Sequence, residues 1–312
     1  MKIDRGPAAS KPSVTAVILA FNEAIHIERC ITRVWPAVQR IVVIDSFSTD
    51  ETVEIARRCG AEVLQRAWKN HADQFQWALD TVQFDTDWIM RIDCDEYLED
   101  GLIDEIRTRL PTLPTDVAGV DFKRKVIFRG RFIRWGGYYT THLTLLWRTG
   151  MGRMEQRWMD ERIALDGGQV VDFRGGDTVD ENLNDIGWWT AKHNGYATLQ
   201  MVDFINRKYA LFPIDTGIDE GGASRTRWRR FLRNRIYGEA PLYLRAVLYF
   251  LQRYFLRLGF LDGREGFVWH FLHGFWFFVL MDAKIDEAEA FIGAHGVEAF
   301  RLRLKDHYKV DV

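Results

Sequence analysis

The sequence predicts an α/β fold: a doubly wound, mostly parallel mixed sheet followed by a C-terminal helical extension rich in arginine and aromatic residues. Three observations carry this expectation. Four apolar, β-favouring runs alternate with helical segments within about the first hundred residues, which implies right-handed βαβ crossovers. From about Val117 shorter β-like pieces separated by glycines continue the sheet, and beyond Asp185 the pattern is mainly helical.

After a flexible polar lead over residues 1–12, Val14 to Ala20 (VTAVILA) is a continuous apolar run, as expected of a strand covered on both faces. Asn22 stands where it can cap a helix over about 24–34, which should stop before Pro36. Ile41 to Ile44 forms a second buried strand. In the following Asp45-Ser-Phe-Ser-Thr-Asp-Glu-Thr52, Ser48 and Glu51 have capping-box spacing for a helix that ends at Gly60. Residues 62–65 give a short third strand, 71–82 a third helix, and Trp88 to Ile92 a fourth strand running straight into Asp93-Cys94-Asp95-Glu96. Val117 to Phe128, Leu143 to Trp147 and Gln169 to Phe173 supply the second half of the sheet. The expected division is a main domain over 13–224 and an extension over 225–312.

Composition narrows the function classes. At 47% hydrophobic and 28% charged, the 312 residues are those of a globular chain, and a formal net charge of −2 gives no global affinity for polyanions. Cys30, Cys59 and Cys94 form no CxxC pair, which argues for a reducing compartment and against a zinc site. The opening MKIDRGPAASKP lacks a signal-peptide core, and no run reaches the roughly 18 apolar residues of a spanning helix. The expectation is a cytoplasmic protein.

Ligands of doubly wound sheets bind at the carboxyl ends of strands, and three such ends are chemically loaded: Phe21-Asn22-Glu23, Asp45 to Asp50, and Asp93 to Glu96. Asp93 and Asp95, one residue apart after a buried strand, can hold a hard cation, Mg²⁺ or Mn²⁺, shared with substrate phosphates. The alternative is that these acids only cap and solubilise the next helix. Asp45 can accept from a ribose hydroxyl or a base imide, and Ser48 either joins it or serves as a helix cap. Lys69 and His71, with Gln74 one turn on, open the third helix and are candidates for phosphate or the donor sugar, a solvated loop being the alternative for Lys69. No GxGxxG opens a helix and no Gly-Lys dipeptide exists, which disfavours a dehydrogenase or a P-loop NTPase.

VTAVILAFNE, VVIDSFSTDET and MRIDCDEYL resemble three ordered blocks of the family 2 glycosyltransferases of GT-A fold, inverting enzymes that use nucleotide-sugar donors. WKNHADQFQWAL, WMDERI and WWTAKHNGYA further resemble bacterial β-1,4-glucosyltransferase-like enzymes of lipopolysaccharide core synthesis. The resemblance implies that Phe21, Asn22 and Glu23 line the nucleotide pocket, that Asp45 contacts uridine, and that Asp93 and Asp95 flank the diphosphate and its metal. Many members place the base in a Glu-Asp pair after the sheet. Here the order is Asp160-Glu161, so either acid is a candidate to take the acceptor's proton. The expected reaction moves a hexose, glucose by the resemblance, from a UDP-sugar to a glycan or lipid-linked acceptor of the lipopolysaccharide-core kind. The rivals are a sugar nucleotidyltransferase and a non-catalytic membrane-docking or carbohydrate-binding protein on a transferase scaffold.

Trp188 and Trp189, followed by Lys192 and His193, are candidates for stacking on an acceptor sugar, with core packing the commoner fate of such a pair. Arg225 to Arg264 carries a local excess of eight positive charges, and Phe267 to Met281 has seven aromatics in fifteen residues. The basic-aromatic pattern over 225–281 suggests a peripheral contact with the anionic cytoplasmic face of an inner membrane, against the alternatives of a homo-oligomer interface or a helical cover. No nucleic-acid recognition motif accompanies it.

Overall fold

The structure, a computed structural model, describes residues 11–155, 162–212, 241–308 and 310. It divides into two compact units: the first holds the residues up to Met154 and Arg162–Leu183, and the second Glu155 and the residues from Asn184 on, so the main break falls well before the composition change near residue 225.

The first unit is the expected mixed sheet. Its strands are β1 (Val14–Ala20), β2 (Arg40–Asp45), β3 (Glu62–Gln65), β4 (Trp88–Asp93), β5 (Glu96–Leu98), β6 (Val117–Phe128), β7 (Arg131–Phe132), β8 (His142–Arg148), β9 (Gly152–Met154), β10 (Ile163–Leu165), β11 (Gln169–Asp172) and β12 (Thr178–Asp180). The order is β3-β2-β1-β4-β8-β6-β12-β5, with β7 and β11 also on β6 and a separate β9-β10 pair. The first four strands are parallel, β8 is antiparallel to β4 and β6, and β12 runs parallel to β6. Helices α1 (Ile27–Val34), α2 (Thr52–Arg58), α3 (His71–Thr81) and α4 (Asp100–Arg109) cover this sheet.

The unbroken apolar run of β1 has a direct cause. Val14, Ala16, Ile18 and Ala20 enter one core with Ile27, Cys30, Ile31 and Val34 of α1 and Leu102, Ile103 and Ile106 of α4. Val17 points the other way, into a core with Val42, Ile44 and the α3 residues Ala72, Phe75 and Ala78. A strand of period two buried on both sides needs no polar alternation. All three cysteines are free and buried.

Two capping expectations are corrected. Helix α1 starts at Ile27 rather than near residue 24, and Asn22 does not cap it: its Oδ1 accepts from the Thr49 N–H at 2.8 Å. Ser48 and Glu51 form no capping box, because Ser48 turns back onto Asp45 and the Asp50 carboxylate takes the Thr52 N–H at 3.0 Å instead. In the first case a tie to the neighbouring loop, and in the second bonds within the loop itself, outcompete the expected cap. At α3, Asn70 caps, accepting from Asp73 N at 2.8 Å.

The second unit is helical. Helix α5 (Ile186–Tyr209) and the helix Phe277–His295 share a core of Ala197, Met201, Val202, Ile205, Met281, Ile285 and Ala288, closed by Phe300 and Leu304. The segment 244–276 comprises helices Leu244–Leu251 and Gly263–Phe271 with single wider turns at Gln252–Leu256 and Leu272–Trp276. Among the described residues, no helix is long and apolar enough to cross a membrane.

Candidate active site

The parallel pairing aligns Ala20 with Asp45 and Leu19 with Asp93, so the loops after β1, β2 and β4 meet at one edge of the sheet. Between the first two, Asn22 N–H donates to Ser48 Oγ at 2.9 Å, and Glu23 N–H donates to Thr52 Oγ1 at 2.8 Å. Phe21 and Asn22 are exposed and Glu23 is half-buried. The Glu23 carboxylate accepts from Nδ1 of the buried His26, whose Nε2 accepts the Leu183 N–H at 2.8 Å and thereby fixes the proton on Nδ1. Glu23 is thus committed to a loop-ordering bond as well as to the edge of the site.

Asp45, expected at the nucleoside, is fully buried. Its carboxylate accepts from Ser48 N at 3.0 Å, from Gln65 Nε2 at 2.9 Å and from Ser48 Oγ. With those lone pairs engaged and no exposed surface, Asp45 organises the turn that presents Phe47 and Ser48 and does not offer an oxygen to a ligand in this conformation. Gln74 is also fully buried, donating to Ser46 Oγ at 3.2 Å and Arg66 O at 3.3 Å. It braces the β2 end from behind. Lys69 is exposed in the loop before α3.

The third strand end carries the charge. Asp93 Oδ1 lies 3.7 Å from His71 Nε2 and 3.7 Å from Arg91 Nε, and its Oδ2 lies 3.8 Å from Arg124 Nη2. Burial alone would raise the Asp93 carboxyl, but Arg91, His71 and Arg124 overcome it and hold it well below the usual carboxylate range. Arg124, projecting from β6, also donates to Glu96 Oε1 at 2.5 Å and lies 3.3 Å from Asp180 Oδ2. Burial pushes Glu96 up to about 7 against the pull of Arg124, with Asp93, Asp180 and Asp95 adding to the rise. Glu96 Oε2 in turn accepts the Asp93 N–H at 3.1 Å, tying the turn shut.

Asp95 differs from Asp93. It is half-buried, and its Oδ2 accepts from Asn182 Nδ2 at 3.0 Å. Its carboxylate faces no cation within ion-pair distance among the described residues, whereas Asp93 has two arginines, Arg91 and Arg124, and the His71 imidazole around it. Of the two expected metal-binding aspartates, Asp95 therefore fits a hard cation and Asp93 fits poorly. Among the described residues no three His, Cys, Asp or Glu side chains gather as a self-sufficient metal site. Such a cation would draw its remaining oxygens from a bound diphosphate and water, as Mg²⁺ commonly does.

The sequence expectations omitted Arg91 and Arg124. Arg91 was legible: it lies two residues before Asp93 in the same strand, hence on the same face. Arg124 was not, because only the β4-β8-β6 order brings it there.

Other expected residues lie elsewhere. Asp160 and Glu161 fall outside the described residues. Trp188, Trp189, Lys192 and His193 belong to α5 of the second unit. There Trp189 is buried and stacked on His193 with centroids 3.5 Å apart, and Trp269 stacks on His273 at 4.8 Å. Those two residues serve a packed aromatic core, so the sugar-stacking expectation does not hold for them. Trp188 stays exposed, with Lys192 Nζ 4.6 Å from its ring centre. Arg245 and Arg253, counted with a lipid-facing basic stripe, are buried: Arg245 bonds to Asp282 and Arg253 to Tyr249.

Comparison with known proteins matches residues 15–163 to the model of glycosyl transferase family 2. An uncharacterized glycosyltransferase of Rickettsia felis is 41% identical over 93 residues, covering 30% of this chain and 32% of that protein. The SPbeta prophage-derived glycosyltransferase SunS of Bacillus subtilis is 35% identical over 89 residues, covering 27% of this chain and 20% of that protein. The chain thus spans about a third or less of the length of the curated relatives it matches. Among solved structures, glucosyl-3-phosphoglycerate synthase from Mycobacterium tuberculosis, in complex with Mn²⁺, UDP and glucosyl-3-phosphoglycerate, aligns at 23% identity over 38% of this chain and 45% of its own, with a TM-score of 0.28.

Proposed function

We propose that the chain is a family 2 glycosyltransferase that moves a hexose from a UDP-sugar to a lipid-linked or lipopolysaccharide-core acceptor. The observation that carries this reading is the meeting of three strand-end blocks, after β1, β2 and β4, inside the segment that matches the family. The nucleoside end of the donor lies along Phe21, Asn22 and Ser48, in a turn that Asp45 and Gln74 hold in place. Lys69, His71, Arg91 and Arg124 form the positive side of the site and take phosphate oxygens. Asp93 keeps those cations together before the donor arrives. A Mg²⁺ or Mn²⁺ held by Asp95 would neutralise charge on the departing diphosphate. Inversion at the anomeric carbon requires a carboxylate on the opposite face to take the acceptor's proton, a role we assign to Asp160 or Glu161.

The lipopolysaccharide-core assignment rests on the sequence blocks around Trp68, Trp158 and Trp188. A peripheral contact with the cytoplasmic face of the inner membrane is supported by the surface of residues 241–271. Leu248, Leu251, Phe255, Leu256, Phe260 and Phe267 are exposed there, and the exposed ionic side chains of this stretch are Arg257 and Arg264. Arg245 and Arg253 are buried, so the part of this contact made by residues 241–271 is apolar insertion; Arg225, Arg227, Arg229, Arg230, Arg233 and Arg235 lie outside the described residues.

A panel of UDP-, GDP- and TDP-sugars, each with Mg²⁺, Mn²⁺ or EDTA, tests the reading through thermal stabilisation of the purified chain. Stabilisation by one nucleotide class that EDTA abolishes is the expected result. A flat response across the panel would overturn it.

A further inference from the structure

Phe47 is anomalous on two counts. Its backbone lies in the left-handed region at φ 61°, where a bulky side chain is disfavoured and glycine is at ease. Its ring does not offset this by burial, being 54% exposed. Neither backbone preference nor packing accounts for a phenylalanine here, and strain of this kind is characteristic of ligand-holding turns.

Its surroundings indicate the ligand. Phe47 follows Asp45 by two residues at the end of β2, and Phe21, 55% exposed, follows Ala20, the residue paired with Asp45 on β1. The two turns are stitched by the Asn22–Ser48 and Thr49–Asn22 hydrogen bonds at 2.9 and 2.8 Å, and Asn22 is itself left-handed at φ 55°. Two solvent-facing rings are therefore held on neighbouring strand ends by a rigid polar frame. Exposed aromatic faces beside fixed hydrogen-bonding groups suit a planar heterocycle, which stacks on the ring and bonds at its edge.

We propose that Phe47 is a specificity-determining residue, a stacking platform that works with Phe21 on the nucleobase of the donor. The proposal rests on the nucleotide-sugar reading above and assigns a residue which that reading leaves without a role.

The test uses the full chain with calorimetric titration of UDP, GDP and TDP, and of inorganic pyrophosphate as a probe lacking a base. In Phe47→Gly the tightest nucleoside diphosphate should bind about 5- to 150-fold more weakly, the range for loss of one stacking contact. Pyrophosphate binding should not change, and the thermal midpoint should hold or rise as the left-handed strain is relieved. Phe47→Trp should retain nucleotide affinity. Equal nucleotide binding by wild type and Phe47→Gly would overturn the platform while leaving the donor reading intact. Absence of binding by wild type to all three nucleotides would overturn the donor reading and the platform with it.

Discussion

In the sheet unit, ionisable side chains around the turn after β4 are held beside charged partners: the half-buried Asp93 near Arg91, Arg124 and the His71 imidazole, and the buried Glu96 against Arg124. The helical unit withdraws His193 and His273 among tryptophan and phenylalanine rings, where burial lowers His193 to about 4 and His273 well below the ordinary imidazole value. The first arrangement keeps charge at a strand-end edge, where a ligand phosphate can exchange with it. The second suppresses charge to keep a core intact. The difference separates a half-exposed cluster of charges from a core in which charge is suppressed.

The largest expected effect tests where the helical unit departs from its own rule. Arg245 and Asp282 form a fully enclosed ion pair, and Asp282 Oδ2 also accepts the Tyr243 N–H at 2.7 Å. Asp282→Ala leaves a buried guanidinium uncompensated and should cost about 3–5 kcal/mol, seen in chemical denaturation. A loss below about 1 kcal/mol would mean that the pair is hydrated in solution.

On the metal role proposed for it, Asp95→Ala should reduce sugar transfer on the order of 10²–10³-fold, with an unfolding midpoint little changed because Asp95 is half-buried and outside the apolar cores. Full turnover by this variant would remove the metal role. For the exposed apolar surface, Leu256→Asp combined with Phe260→Asp should weaken binding to vesicles containing anionic lipid by roughly tenfold or more. Unchanged vesicle binding by the folded variant would remove this surface from any membrane contact.

The smallest effect is a pH dependence. The His193 pKa is depressed on folding, so the unfolded chain takes up a proton near its ordinary 6.5 that the folded chain accepts only near 4. Stability from this group is complete above about pH 6.5 and is lost as pH falls towards 4, by about 1–3 kcal/mol. His193→Phe, which keeps a ring against Trp189, should flatten the fall and leave the share due to His273. Thermal scans of both proteins across that range would show it, and parallel slopes would refute it.

Much of the sheet was legible because burial on both faces writes itself as uninterrupted apolar runs such as VTAVILA and IVVI. The strand-end acids were legible for the same reason, since polar residues that end such runs must lie at the sheet edge. Helix starts were less so: Asn22 and Ser48 have the chemistry of caps, and only the proximity of β1 and β2 shows that each bonds across the gap to the neighbouring turn. Trp189 and His193 had the composition of a sugar platform, and their stacking within the second unit shows them to be core.

The sequence by itself determined the four parallel strands and the longer strands β6, β8 and β11, and that three of the strand ends carry polar and acidic blocks, because these follow from local periodicity and composition; the two- and three-residue strands β5, β7, β9, β10 and β12 are too short to carry such a signal. Tertiary structure alone decided that Asp45 is sealed, that Asp93 and Asp95 have different electrostatic surroundings, that Arg124 reaches the β4 turn, and that Phe47 is left exposed on a strained backbone. Each of those depends on distances between residues far apart in the chain, and Coulomb attraction, burial and stacking act through space, not along the sequence.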